Sequence, residues 1–290
     1  MKVPVKVDGR ELTLSNLNKV LYPEVGFTKA EVIDYYSRIA PVLLPHLEGR
    51  PLTVKRYPNG VDGAYFFEKN APSHTPAWVR RVRLPVPGSG KNRDTIDFAV
   101  VEDLPSLVYY ANLAALELHV PQWRVSDDGQ AEPPDLLVFD LDPGPPATIV
   151  ECCQVAQLLR GLLEDDGLTA VPKTSGNKGM QLYAPWDGRQ EPSAYAKELA
   201  QRLAKAHPRH VVSVMTKSAR PGKVFIDWSQ NNPAKTTVAP YSLRARQRPT
   251  VSTPLLWEEV ESCGSPGDLV FTASDVLARV EKHGDLFSQA

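Results

Sequence analysis

A chain of 290 residues that is 42% hydrophobic and 23% charged can bury the core of one large domain or of two fused lobes, which excludes a wholly disordered protein. No apolar run approaches the roughly 18 residues that a membrane span needs, and no signal-type segment follows MKVPVKVDGR, so a cytoplasmic protein without a membrane partner is expected. Lys and Arg number 33 against 34 Asp and Glu, so the net charge of −1 neither demands nor forbids nucleic acid, and only local clusters can argue for it.

The opening KVPVKVDGRELTLSN alternates apolar and polar residues around Asp8-Gly9, which predicts a hairpin. Thr28 with Glu31 forms a capping box for a helix running to about His46, and Pro41 predicts a kink or a division in it. The segment PLTVKRYP from Pro51 to Pro58 reads as a strand sending Lys55 and Arg56 to opposite faces. Tyr65-Phe66-Phe67-Glu68-Lys69 then allows two readings, a core-facing aromatic strand or an exposed platform on which bases stack. Arg80, Arg81, Arg83, Lys91 and Arg93 surround the Gly/Pro-rich loop 85–93, which reads as a mobile hairpin. Ile96 to Val101 reads as a buried strand. Asp103 ahead of Pro105 marks a helix start, with LVYYANLAALEL packing through one side before Glu117 and His119. A lone histidine such as His119 is more often structural than functional.

DLLVFDLDPG, residues 135–144, carries the strongest local signal. In a strand Asp140 and Asp142 share one face while Leu141 points to the other. Two like charges side by side are tolerated where a divalent cation sits between them, although a solvated acidic turn at a strand end also accounts for the pattern. Pro145-Pro146 is expected to open a helix closed by Gly167, and Leu168 to Pro172 to follow as a strand, giving a βαβ-like crossover. KTSGNKGMQLY, from Lys173 to Tyr183, then offers glycines, hydroxyls and a cation that can wrap phosphate oxygens, without the Walker A spacing. A plain glycine turn fits it equally well.

Ser193 is expected to cap a helix through about Ala206, with a strand from His210 to Met215 after it. KVFIDWS ends in a third carboxylate, Asp227, which on a neighbouring strand would complete a cluster able to hold two hard cations. An irregular basic segment follows, with Arg244 and Arg246 on one face if extended, and two short helices close the chain, the second capped by Thr272 and Asp275. Cys152, Cys153 and Cys263 lack C-x-x-C spacing and read as reduced thiols. From pattern alone the fold is α/β or α+β, a single domain over residues 1–290.

VFDLDPG, KTSGNKGMQLY, FIDWSQN and SLRAR, in that order, make the chain resemble the polymerase domain of bacterial ATP-dependent DNA ligase D, in the archaeo-eukaryotic primase superfamily. The resemblance implies a two-lobed primase-like core with one lobe related to the RNA-recognition motif. It implies a template-dependent nucleotidyltransferase that fills gaps and extends ends in non-homologous end joining, prefers ribonucleotides, and uses two Mn²⁺ or Mg²⁺ ions. By the same resemblance Asp140, Asp142 and Asp227 hold the metals and are catalytic. Lys55, His119, Ser175, Lys178, Gln230, Arg244 and Arg246 contact the nucleoside triphosphate. Asn16, Lys19 and Lys29 read a 5′-phosphate on DNA, Arg56, Phe66 and Phe67 the template, and loop 85–93 brings two DNA ends together. Ku and an ATP-dependent DNA ligase are the implied partners. Gln181 stands where many superfamily members carry histidine, so a charged role there falls away. Two other readings compete: a DNA-end binding module with a vestigial acidic site, and a phosphatase of the haloacid-dehalogenase type. The second needs D-x-D-G-T, and Pro143-Gly144 replaces Gly-Thr here.

Overall fold

A computed structural model describes residues 2–85 and 95–290, and loop 85–93 beyond Pro85 lies outside them. Strands Lys2–Val7 and Arg10–Ser15 pair antiparallel as the expected hairpin, turning on Asp8 and Gly9 at φ 44° and 81°. Helix Lys29–Leu47 begins at its capping box. The Glu31 amide donates to Thr28 Oγ1 (3.3 Å) and the Thr28 amide to Glu31 Oε2 (2.7 Å), a cap worth about 1 kcal/mol. Pro41 and Pro45 do not divide this helix. Its buried residues Val32, Ile33, Tyr36, Ile39, Leu43 and Leu47 form one continuous stripe in the larger core, and that packing outweighs the roughly 3 kcal/mol of an interior proline.

The stripe belongs to a lobe built on a six-stranded sheet. Its order is Thr237–Val238, Ala115–Val120, Pro51–Arg56, Thr95–Val100, Arg81–Pro85, with Phe66–Glu68 also paired to Pro51–Arg56. The helix expected through LVYYANLAALEL stops at Asn112, and Ala114 turns the chain at φ 57°. Ala115–Val120 is instead a central strand. Nearly every residue of it is buried, so it shows no alternation, and an apolar run of that kind cannot be told from a helix by period.

The second lobe follows the order strand, helix, strand, strand, helix, strand that marks the split βαβ arrangement of the RNA-recognition motif. Across its sheet the order is Val171–Thr174, Met180–Pro185, Leu136–Pro143, Val224–Asp227, Val211–Val212. Leu136–Pro143 and Val171–Thr174 are both antiparallel to Met180–Pro185, so the crossover is real with a hairpin strand inserted inside it. Leu137, Phe139 and Leu141 face helices Ile149–Asp165 and Pro192–Ala206, whereas Val138 joins the other lobe's core. The alternate residues 136, 138, 140 and 142 therefore look toward the junction of the lobes.

Local boundaries differ from expectation for identifiable reasons. The crossover helix starts at Ile149 under a Thr148/Glu151 capping box, leaving Pro145-Pro146 in the preceding turn. Glu191, and not Ser193, caps the next helix, accepting from the amides of Ser193 (3.1 Å) and Ala194 (2.6 Å). The strand expected at 168–172 is Val171–Thr174, and that at 210–215 shrinks to Val211–Val212.

Candidate functional site

Register assembles the acidic site. Asp140 lies directly opposite Asp227 on one neighbouring strand and directly opposite Gln181 on the other, and Gln181 lies opposite Lys173. Lys173, Gln181, Asp140 and Asp227 thus form one row across four strands, with partner Cβ atoms about 5 Å apart. Asp142 stands two residues along from Asp140 at the exposed lip. Burial and the neighbouring Asp142 push the Asp140 carboxyl up to about 7, with Asp227 adding to the rise, and burial and Asp227 raise Asp142 as well. Asp227 is already engaged: Oδ1 accepts from the Ser229 amide (3.1 Å) and Oδ2 from Gln230 Nε2 (2.9 Å).

The nucleotide-type loop closes over this row. A Cβ on Gly179 would stand 2.1 Å from the Leu141 carbonyl oxygen, so only glycine lets the loop lie against the aspartate strand. Gly176, at φ 67°, packs against Arg244 and Val251 in the same way. The Ser175 hydroxyl takes the amides of Asn177 and Gly179 (both 3.3 Å), and Lys178 is exposed at the tip.

In the other lobe, one buried carboxylate gathers two cations and an imidazole. Glu117, 2% exposed, lies 2.9 Å from His119 Nε2, 3.4 Å from Arg244 Nε and 3.6 Å from Lys55 Nζ, and accepts from the Ala245 amide at 3.1 Å. Burial alone would raise its pKa, but the hydrogen bond from His119 and the charges of Arg244, His119 and Lys55 pull it down to about 2. Burial lowers the pKa of His119 despite that carboxylate. Arg244 Nη1 also donates to Ser175 O (2.7 Å), tying this group to the phosphate-type loop, while Arg246 is exposed beside it.

Around this centre the remaining residues fall into two places. Phe66 and Phe67 are 57% and 49% exposed, which excludes the core-facing reading, and Phe67 meets His119 edge-on at 6.0 Å. Arg56 is bound to Glu68 (3.0 Å) and the Leu113 carbonyl (3.1 Å) behind them. Asn16, at φ 54°, and Lys19 line a cleft of about 520 Å³ with Val3, Leu17 and Asn18. Lys29 does not share that surface. It is 5% exposed, with Nζ on the Ser15 carbonyl at 2.6 Å, and burial, with Lys19 and Arg56 nearby, lowers its pKa to about 8.

The sequence pattern of the family described as LigD, primase-polymerase domain, matches residues 28–287. The chain belongs to this family. It is 44% identical over 288 residues to the multifunctional non-homologous end joining protein LigD of Mycobacterium bovis, covering 97% of this chain and 37% of the relative. The bifunctional LigD of Bacillus subtilis is 33% identical over 278 residues, 94% of this chain and 43% of that protein. The chain thus spans about two fifths of the curated relatives it matches. Its fold superimposes on the polymerase domain of Mycobacterium tuberculosis ligase D in complex with DNA with a TM-score of 0.88 and 44% identity, covering 95% of this chain and 96% of that one. The mixed α/β, two-lobed expectation holds.

Two residues of this cluster carry no role in the sequence reading. Glu117 is two positions before His119 on one strand and so shares its face, a signal that was present. Lys173 read as the start of a loop, whereas it is fully buried in a strand. Nothing in its immediate neighbours announces that.

Proposed function

We propose that the chain is a template-dependent nucleotidyltransferase that fills gaps and extends DNA ends at double-strand breaks in non-homologous end joining, preferring ribonucleotides. The observation that carries this reading is the row of carboxylates linked to the group held by Glu117 through the loop at Ser175, which lies against the aspartate strand at Gly179 and is tied to Glu117 by Arg244. Among the described residues no group of three or more His, Cys, Asp or Glu side chains is placed to hold a metal ion. The donor chemistry nevertheless suits hard divalent ions: burial and the neighbouring carboxylates raise Asp140 and Asp142, a cost that a divalent cation would relieve, and Asp142 is exposed.

Asp140, Asp142 and Asp227 would hold two Mn²⁺ or Mg²⁺ ions, which supply charge neutralisation at the attacking 3′-hydroxyl and the leaving pyrophosphate. Lys55, Lys178, Arg244 and Arg246 place positive charge where the triphosphate lies, Arg able to grip two oxygens at once. His119, its Nε2 committed to Glu117, leaves Nδ1 as an acceptor for a sugar hydroxyl, and Ser175 and Gln230 add neutral polar contacts. Exposed Phe66 and Phe67 offer stacking faces to the template, backed by Arg56, and Asn16 and Lys19 offer a 5′-phosphate pocket with Lys29 beneath it. Ku and an ATP-dependent DNA ligase are part of the proposal as partners, and the domain acts as one unit. No helix among the described residues is long and apolar enough to cross a membrane.

The test is a gapped duplex bearing a 5′-phosphate, incubated with NTPs or dNTPs and Mn²⁺. Extension by the native chain that disappears in Asp140→Ala and Asp227→Ala is expected. Equal extension by all three proteins would sink the site, and DNA retardation with no incorporation under any divalent ion would leave a binding module.

A further inference from the structure

We infer that buried Lys173 fixes the side-chain amide of Gln181 so that its N–H faces Asp140, which makes Gln181 a positioning residue for that carboxylate and not a phosphate ligand. The inference rests on the proposed role of Asp140.

Lys173 is 0% exposed, and its Nζ has three acceptors: Gln181 Oε1 at 2.6 Å, Ser252 Oγ at 2.7 Å and the Val238 carbonyl at 3.0 Å. The Ser252 hydroxyl donates its own proton to the Thr174 carbonyl (2.9 Å), so only a lone pair faces the lysine. An ammonium has three protons and no acceptor. Burial lowers the Lys173 pKa well below its ordinary value, and the three acceptors gathered around Nζ favour the charged form, in which all three protons are used and the glutamine oxygen points to Lys173. The Tyr183 hydroxyl, 3.4 Å away and bonded to Thr237 at 2.7 Å, lies on the same oxygen. The opposite end of the amide then has one orientation left, with Nε2 on Asp140 Oδ1 at 3.0 Å. Burying an ammonium costs several kcal/mol, and a site that needed only volume would be filled by Met or Leu.

The chemistry of position 181 follows. It must accept on the Lys173 side and donate on the Asp140 side. Gln does both, and neutral His can do so with its two ring nitrogens. Met can do neither.

The test compares Gln181→Met, Gln181→His, Lys173→Met and the double Lys173→Met/Gln181→Met. The readouts are kcat and KM for NTP on the gapped duplex, and Mn²⁺ affinity by calorimetry without nucleotide. Gln181→Met is expected to lose about tenfold or more in kcat and about tenfold in Mn²⁺ affinity, with KM within about twofold, the usual scale for a residue that orients a metal-binding side chain. Gln181→His recovers both to within about threefold. Lys173→Met loses as much kcat as Gln181→Met, and the double variant no more than either, because both act through one hydrogen-bond chain.

Additive losses in the double variant, or a raised KM at unchanged kcat in Gln181→Met, overturn the inference. If Lys173→Met fails to fold, the Gln181 pair decides: His no better than Met overturns it. If the native chain incorporates no nucleotide, the function fails, and Mn²⁺ calorimetry still judges the amide. Equal affinity in native and Gln181→Met protein then overturns the positioning role by itself.

Discussion

Arg244 lies against Glu117 at 3.4 Å while its other guanidinium arm donates to Ser175 O at 2.7 Å, so one side chain joins the six-stranded lobe to the five-stranded one. The buried carboxylate is what holds it there, together with Lys55 and His119.

Glu117→Gln keeps the shape and removes the charge. Because the folded pKa of Glu117 is about 2 and an unfolded glutamate titrates near 4.3, its contribution is complete above about pH 4.5 and is lost as pH falls toward 2. The difference corresponds to about 3 kcal/mol. Denaturant titrations of native and variant protein are expected to differ by about that amount at pH 6 and to converge as pH falls below about 2. A gap independent of pH would show that the carboxylate charge is not its source. KM for NTP should rise by about tenfold as Lys55, Arg244 and His119 lose their common anchor.

Asp140→Asn removes a like charge from the row it shares with Asp227 and from beside Asp142. The metal-free variant is expected to be at least as stable as the native chain in thermal unfolding. Mn²⁺ should raise the native melting temperature and leave the variant's unchanged, because the ion stabilises only the state that binds it. Extension should fall by about a thousandfold, the scale of several kcal/mol of lost charge stabilisation. A variant that still gains stability from Mn²⁺ would place the ion elsewhere.

Asp140 and Asp142 were readable because a period of two puts them on one face whatever surrounds the strand, and Asp227 because its own strand ends in the same way. Their pairing was not readable, since register between strands 87 residues apart is a tertiary fact, and Asp140 faces Asp227 only in the folded sheet. The capping boxes at Thr28 and Thr272 were local and correct. The failures came where burial hides pattern: Ala115–Val120 read as helix, and Lys173 passed for a loop residue. The resemblance puts Lys29 at a phosphate position, and the fold turns its ammonium inward onto Ser15.

That last difference separates two lysines otherwise assigned together. Lys19 is exposed, with Nζ on Asn59 Oδ1 at 2.9 Å, and can turn to a ligand at little cost. Lys19→Ala should abolish preference for 5′-phosphorylated over 5′-hydroxyl ends and reduce the salt dependence of DNA binding by about one counterion, with thermal stability unchanged. Lys29→Met should lower the melting temperature first, since the Ser15 carbonyl loses its partner. Equal effects of the two on end preference at equal stability would put both in the pocket.

Phe66 and Phe67 contribute little to the core at their exposure, so Phe66→Ala and Phe67→Ala should each leave the unfolding midpoint within about 0.5 kcal/mol of native. Stacking on a base is worth about 1–3 kcal/mol, and template binding should weaken by about tenfold per ring, as read by fluorescence anisotropy on a gapped duplex. Undiminished affinity in the double variant would remove these rings from the template path.

The in-register row also guards the fold against a particular mistake. Sliding strand Leu136–Pro143 by one residue would drive both Asp140 and Asp142 into the apolar core between the sheet and its two helices and turn Leu141 and Phe139 toward the junction of the lobes. Each misplaced carboxylate would lie in an apolar core without a partner, so mispaired versions of the sheet are heavily penalised before any substrate is met. The acids that make metal-free protein tense at one face thereby act as a proofreading mark for its assembly.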